Sequence, residues 1–393
     1  MQSSLKPAIT AIVVVGIAVS LFLLLRVFDP APPNSNTGAV QTTTPAVMTP
    51  PISTTEFKVG RIEVAAILPL LMPNGMLADK GNRLVAPRFS PDGQRILWER
   101  YTGSSIPCSE GNKNCAYPES ELWIYSLSTR EWSKLVGPAT QGNWSPDGAR
   151  VAYLAQSKSG RLDLAWIQLN EGVPQIAAQD VTWSQVGWTD RTHLTFLDGD
   201  ASIATIRLDG KNKKTTSPIK VQNPGGPMTL GIAGDGKTLA FVSDRQVWLV
   251  ALDGRFEPRI LKQSRDYLQF SNIVGGMAWS RDGRFLALAT GDYYASIYDR
   301  DGSLISTIAM PGDHIDSLTW SPDGNIVACV AIRRGDNTPE FDVAIADRSA
   351  KEGKLLGLSN DEKYMMDWSP RGDYIVWGSA QQRLPGGLKI TLK

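Results

Sequence analysis

Three cysteines and two histidines are the whole stock of thiols and imidazoles in this sequence of 393 residues. Cys108 and Cys115 flank the segment Ser109-Glu110-Gly111-Asn112-Lys113-Asn114. A structural zinc site needs four ligands, and no second pair stands near enough in sequence to complete one, so no metal site is expected. The two cysteines suit a local disulfide in an oxidising compartment, with two unrelated free thiols as the alternative. Cys329 closes the apolar run Ile326-Val327-Ala328 and reads as an inert core residue. His193 and His314 are far apart, which gives neither a catalytic triad nor a metal cluster; His193 reads as a solvated turn residue and His314 as a structural hydrogen-bonding one. No Gly-x-Ser-x-Gly sequence supplies a nucleophile elbow. Arg334-Gly335-Asp336 and Arg371-Gly372-Asp373 spell an adhesion tripeptide, which chance explains in a chain this rich in Gly and Asp.

What positions these residues is a repeat. Segments beginning at Phe89, Trp144, Trp188, Ile232, Trp279, Trp320 and Trp368 align, three of them as an aromatic residue followed by Ser-Pro-Asp-Gly and the rest as variants of that turn, each leading into an apolar run. Their spacing of 41 to 55 residues brackets one four-stranded propeller blade. In the motif, proline presets φ, aspartate accepts local backbone bonds, and glycine takes the left-handed conformation that closes a hairpin. The aromatic ends strand A, and the run after the turn (Ile96-Leu97-Trp98, Val151-Ala152-Tyr153) is a buried strand B. Segments 122–125, 164–167, 203–206, 247–250, 296–298 and 343–346 supply strand C, and a more polar strand D follows. The fold class is therefore all-β, a seven-bladed β-propeller over residues 57–393. The last repeat ends after a strand C at 388–392, while an unassigned alternating segment lies at 60–68. That segment is predicted to pair with 388–392 and complete blade seven, covering edges that would otherwise be open.

Ahead of the repeats, residues 1–7 read as a short cytoplasmic N-terminus and residues 8–28 as a transmembrane signal anchor. The stretch 8–25 carries no charge and, at ~1.5 Å per residue, makes a helix of ~27 Å, close to the bilayer's hydrocarbon thickness. A cleaved signal peptide is the rival, but the run exceeds the usual h-region and Arg26-Val27-Phe28-Asp29 offers no small-residue cleavage site. Residues 29–56, with prolines at 30, 32, 33, 45, 50 and 51 and abundant Ser and Thr, form a disordered linker. Lys6 and Arg26 nearly cancel as topology signals. Linker composition and the cysteine pair place the propeller on the extracytoplasmic side of the cytoplasmic membrane, periplasmic or extracellular.

With these residues in view, the repeats resemble those of the TolB-type, WD-like propellers, over about residues 60–393. Blade five also resembles a WD repeat, with Ile297-Tyr298-Asp299 and Gly312-Asp313-His314 near the positions of that family's Trp-Asp and Gly-His. The sequence departs from periplasmic TolB in having seven repeats where that protein has six, a membrane helix, and no separate N-terminal α/β domain. The resemblance implies a scaffold or binding protein.

Balanced charge, 40 basic against 39 acidic residues, disfavours nucleic acid as a partner. No cofactor is implied. The B–C loops vary in length and chemistry, and variable loops on a rigid ring are where recognition is expected. Candidates are Arg100, Tyr101, Arg245, Tyr293, Tyr294, Arg333 and Arg334, because Tyr and Arg supply area and directed bonds at interfaces. The leading expectation is a membrane-anchored module that binds a protein partner rather than a catalyst. The alternative is a carbohydrate- or small-molecule-active propeller whose Asp292, Asp316 and Asp367 converge on the central channel.

Overall fold

A computed structural model describes residues 54–57, 60–67, 82–107, 116–156, 161–200, 202–220, 230–243, 246–263, 276–290, 293–335, 338–358, 362–379 and 385–392. They form seven antiparallel sheets, six of four strands and one of five. In blade one the inner strand Asn82–Phe89 pairs with Arg95–Pro107, then Ala116–Ser126, then the outer strand Trp132–Val136. Five further sheets repeat this order. The last is assembled from both parts of the folded body: Tyr364–Trp368, Tyr374–Gly378 and Gly386–Leu392 are completed by Gly60–Ile67. The pairing Ile62↔Leu392, Val64↔Ile390 and Ile67↔Leu388 is the expected closure. Thr54–Phe57 adds a fifth strand outside Gly60–Ile67, so residues 54–56, read from composition as the end of the linker, pair instead along a sheet edge. An edge strand needs only an extended backbone, which a Thr-rich segment supplies.

Among the described residues no helix is long and apolar enough to cross a membrane. The expected anchor at 8–28 and the linker to residue 53 lie outside them. In blade one, the stretch 101–120 falls where a B–C loop is expected. It is largely a hairpin arm, with Ser105↔Pro118, Ile106↔Tyr117 and Pro107↔Ala116 in register. A shift in pairing between Tyr101 and Ser105, with Gly103 at φ 81°, absorbs the break in alternation that masked the strands.

The Ser-Pro-Asp-Gly turn works as its composition suggests. In blade two the Ser145 hydroxyl donates to Asp147 at 2.6 Å and accepts from the Arg150 N–H at 2.9 Å, while Gly148 donates to the Ser145 carbonyl at 2.8 Å with φ 67°. Blade seven carries Arg371 where the others have aspartate, and Asp373 takes over the Ser369 hydroxyl at 2.6 Å. In the degenerate third turn Asp190 accepts from the Thr192 and His193 N–H groups and lies 2.9 Å from His193 Nδ1, which makes His193 a turn residue as expected. His314 is exposed at the head of the inner strand His314–Trp320.

A blade buries each face only against a neighbour, and the apolar core divides accordingly. Leu97, Leu122 and Trp144 join blades one and two, Val247, Leu249 and Leu286 join four and five, and Trp98 and Val376 join one and seven. Cys329 is buried between blades five and six, as its apolar run implied. At several junctions the aromatic that ends strand A reaches back to the preceding blade. The indole N–H of Trp144 donates to the Arg88 carbonyl at 2.9 Å, Trp188 to Asn143 at 3.2 Å, Trp279 to Gly231 at 3.0 Å and Trp320 to Ala278 at 2.9 Å. A buried indole needs such a partner, and here it doubles as an inter-blade clasp.

The turns also interlock. A Cβ on Gly236, at φ 69°, would lie 1.9 Å from the Thr189 carbonyl oxygen of the preceding blade, whereas Gly254, at φ 74°, has open space. Gly254→Ala is expected to cost about 1 kcal/mol for the left-handed backbone alone. Gly236→Ala should cost at least about 2 kcal/mol more, because backbone must move. Urea midpoints of the two variants test this, and equal losses would contradict the interlock.

Candidate functional site

Strand A runs in each blade toward the Ser-Pro-Asp-Gly turn, so the D–A connections and the B–C loops share the opposite face. Tyr293 and Tyr294 lie there in blade five, each 38% exposed, with ring centroids 4.4 Å apart and hydroxyls at 3.2 Å. The Met310 N–H donates to the Tyr293 carbonyl at 2.8 Å, the Asp313 N–H to the Ile332 carbonyl at 2.9 Å, and the Arg334 N–H to the Asp313 carboxylate at 2.7 Å. The connection 310–313 therefore ties the tyrosine pair of blade five to Arg333 and Arg334 of blade six. Arg333 also meets Glu340 across its hairpin at 3.2 Å, and Arg334 is exposed.

Arg100 and Tyr101 stand apart, in blade one. Arg100 is held by Glu121 at 2.8 Å, in a network where Glu121 also takes Lys134 at 2.6 Å and the Trp123 indole N–H at 2.9 Å. The Arg83 guanidinium lies over the Tyr101 ring at 4.7 Å, and burial pushes the phenol up from its ordinary value. Arg245, Cys108 and Cys115 lie outside the described residues, as does Asp292. Pro107 and Ala116, next to the two cysteines, are paired. Among the described residues no group of three or more His, Cys, Asp or Glu side chains could hold a metal.

The inner strands and the strand behind the first of them carry a second set of charges. The Asp367 carboxylate accepts the N–H of Phe89 at 2.6 Å, across the junction of blades seven and one, and that of Trp368 at 2.9 Å. Burial raises its pKa, with Arg281 and Arg88 opposing. Glu99, 3% exposed, accepts from the Thr140 hydroxyl at 2.6 Å and the Gln141 N–H at 3.0 Å. Burial raises Glu99 and lowers the Arg88 guanidinium that faces both carboxylates. Sequence reasoning missed this set, although Glu99 directly after Ile96-Leu97-Trp98 was a usable signal, since a carboxylate ending a buried run needs partners.

Asp316 differs. It sits four residues ahead of Trp320, at the loop-face end of its inner strand, half-buried, and the bond made by its carboxylate is to the Ser317 N–H at 2.6 Å. Burial pushes its pKa to about 6, and no described cation opposes the shift. Tyr364, at the same end of the next inner strand, is pushed up to about 12 by burial, with Glu362 and Asp316 adding and Arg83 opposing. Two of the three aspartates expected at the channel thus stand on inner strands, but Asp367 is committed to backbone N–H groups.

A carboxylate whose pKa rises on folding contributes stability fully below its unfolded value near 3.9, and loses it as pH climbs through about 6. Asp316→Asn is therefore expected to stabilise the propeller by roughly 1–3 kcal/mol at pH 8. The gain should vanish near pH 4. Denaturant melts at the two pH values read this, and a pH-independent difference would refute it.

No family model matches the chain. It is 30% identical over 111 residues to mouse "WD repeat-containing protein 19", covering 27% of this chain and 8% of that protein, and 24% identical over 217 residues to the Bacillus subtilis "Uncharacterized peptidase YuxL", covering 52% and 29%. The chain spans under a third of the length of either curated relative. The solved β-propeller domain of Myceliophteria thermophila Cps50 (Swd1) superposes with a TM-score of 0.54 at 13% identity, over 80% of this chain and 99% of that one, a likeness of fold alone. The chain is a seven-bladed β-propeller with WD-repeat proteins among its relatives.

Proposed function

We propose that this protein is a TolB-like propeller anchored in the cytoplasmic membrane by residues 8–28, displayed on the extracytoplasmic side, and that it binds a protein partner through its loop face. Propellers commonly serve as interaction modules, and the charge-free stretch 8–25 followed by a Pro- and Thr-rich linker supports the anchored setting. The observation that carries the binding reading is the pair of exposed tyrosines in tilted ring contact, joined through 310–313 to Arg333 and Arg334. Tyrosine and arginine are the residues that most often dominate interface energetics, and a rigid ring presents them at little ordering cost.

Tyr293→Ala with Tyr294→Ala should lower recovery of a crosslinked membrane partner at least tenfold, since two anchors at about 1 kcal/mol or more each are removed. The melting temperature should stay within a few degrees, because both rings are exposed. Unchanged recovery would sink the assignment. The paired residues beside Cys108 and Cys115 support a disulfide between them, consistent with an oxidising compartment. Mass spectrometry of the unreduced protein isolated from membranes should show the peptide containing both cysteines 2 Da light (two hydrogens lost per disulfide); a fully alkylatable pair would count against the extracytoplasmic placement.

A further inference from the structure

We infer that the channel mouth at blades six, seven and one receives a cationic head group, the ammonium or guanidinium of a side chain carried by the partner, on the carboxylate of Asp316. The inference rests on the partner-binding reading and names the chemistry of what enters the ring.

Three inner strands converge at this mouth, and each offers a side chain at its loop-face end. Arg83 is the second residue of Asn82–Phe89, Asp316 the third of His314–Trp320 and Tyr364 the first of Tyr364–Trp368. Arg83 is engaged on the Tyr101 ring. Tyr364 packs its ring against Phe341 at 5.8 Å and lies within the electrostatic reach of Asp316, Glu362 and Arg83. The thiol of Cys329, also in the field of Asp316, is buried and held neutral. Asp316 faces no cation among the described residues, and its bond to the neighbouring N–H leaves a carboxylate oxygen's capacity unused. A half-buried anion without a counter-charge penalises the folded chain, and such local costs concentrate where a ligand supplies what is missing. A carboxylate with unused acceptor capacity fits an organic cation, whose N–H groups supply the charge-assisted bonds it lacks.

The full chain in detergent is titrated with n-butylguanidinium, n-butylammonium and the neutral isostere n-butylurea, followed by calorimetry and tyrosine fluorescence. Either cation should bind at least tenfold more tightly than the urea, and the two cations together show whether guanidinium or ammonium is preferred. Asp316→Asn, which is expected to fold, should abolish the preference. Lowering the pH from 7.5 to 5 should weaken cation binding about fivefold to tenfold as the carboxylate protonates. Equal binding of cation and urea, or a preference that survives Asp316→Asn, overturns the inference. That result leaves the protein-binding reading standing, because partner recovery through Tyr293 and Tyr294 is measured separately.

Discussion

Every blade of this protein depends on a neighbour to bury its faces, so the ring must close. Closure is where the sequence has least to work with. Six sheets are continuous in the chain, but blade seven needs Gly60–Ile67 as its outer strand, and blade one must meet it across a junction with no indole clasp, because Phe89 stands where five of the other blades have tryptophan. The Asp367 carboxylate fills that gap by accepting the Phe89 N–H, with Arg88 and Arg281 nearby to moderate its buried charge. A charge-assisted bond to backbone is stronger than a neutral one, which suits the junction that seals the ring.

The same place in the repeat is handled in two ways around the circle. The residue just before the aromatic contacts the next inner strand. Where it is polar it bonds there: Asn143 donates to the Val186 carbonyl at 2.9 Å, and Thr319 accepts from the Trp368 N–H at 3.2 Å. Where the next blade's side chain comes close, the residue is glycine. A Cβ on Gly187 would meet Ile232 at 2.3 Å, and one on Gly231 would meet Trp279 at 3.2 Å. Two residues earlier, Ala86, Gln141, Ser317 and Met365 take φ values between 44° and 58°, each beside a break in strand pairing. These non-glycine left-handed residues cost about 1–2 kcal/mol apiece, which the surrounding ring must offset.

Blade number, turn chemistry and closing pair were legible because each rests on a repeated local pattern. Ser, Pro, Asp and Gly act within a few residues of one another, and three full copies with four variants of the same turn make the signal hard to miss. The inner-strand bulges were not legible, since Ala, Gln, Ser and Met carry no mark of a positive φ. The arm of blade one was hidden for a similar reason: Gly103 and the bulge beside it broke the alternation that identifies strands. Tyr293, Tyr294, Arg333 and Arg334 could be named from loop position, but their association passes through main-chain bonds of 310–313, and Arg100 and Tyr101 turn out to be engaged elsewhere by Glu121 and Arg83. Side-chain type alone does not reveal such pairings.

Four acidic groups on or behind the inner strands show how local partners separate structure from function. Asp342, 2% exposed, accepts the N–H groups of Val343, Gly357 and Leu358 and feels the charge of Lys363, so it pins the connection between blades six and seven. Glu99 is satisfied by Thr140 and Gln141, and Asp367 by Phe89 and Trp368. In each case donors arrive from a neighbouring segment or blade, which is what a group selected for architecture should show. Among the described residues Asp316 receives a donor only from the residue beside it in sequence, Ser317, and so ties none of them to another. A buried charge that neither joins elements nor is neutralised serves no purpose in holding the ring, and that asymmetry turns attention from the ring's construction to what enters its mouth.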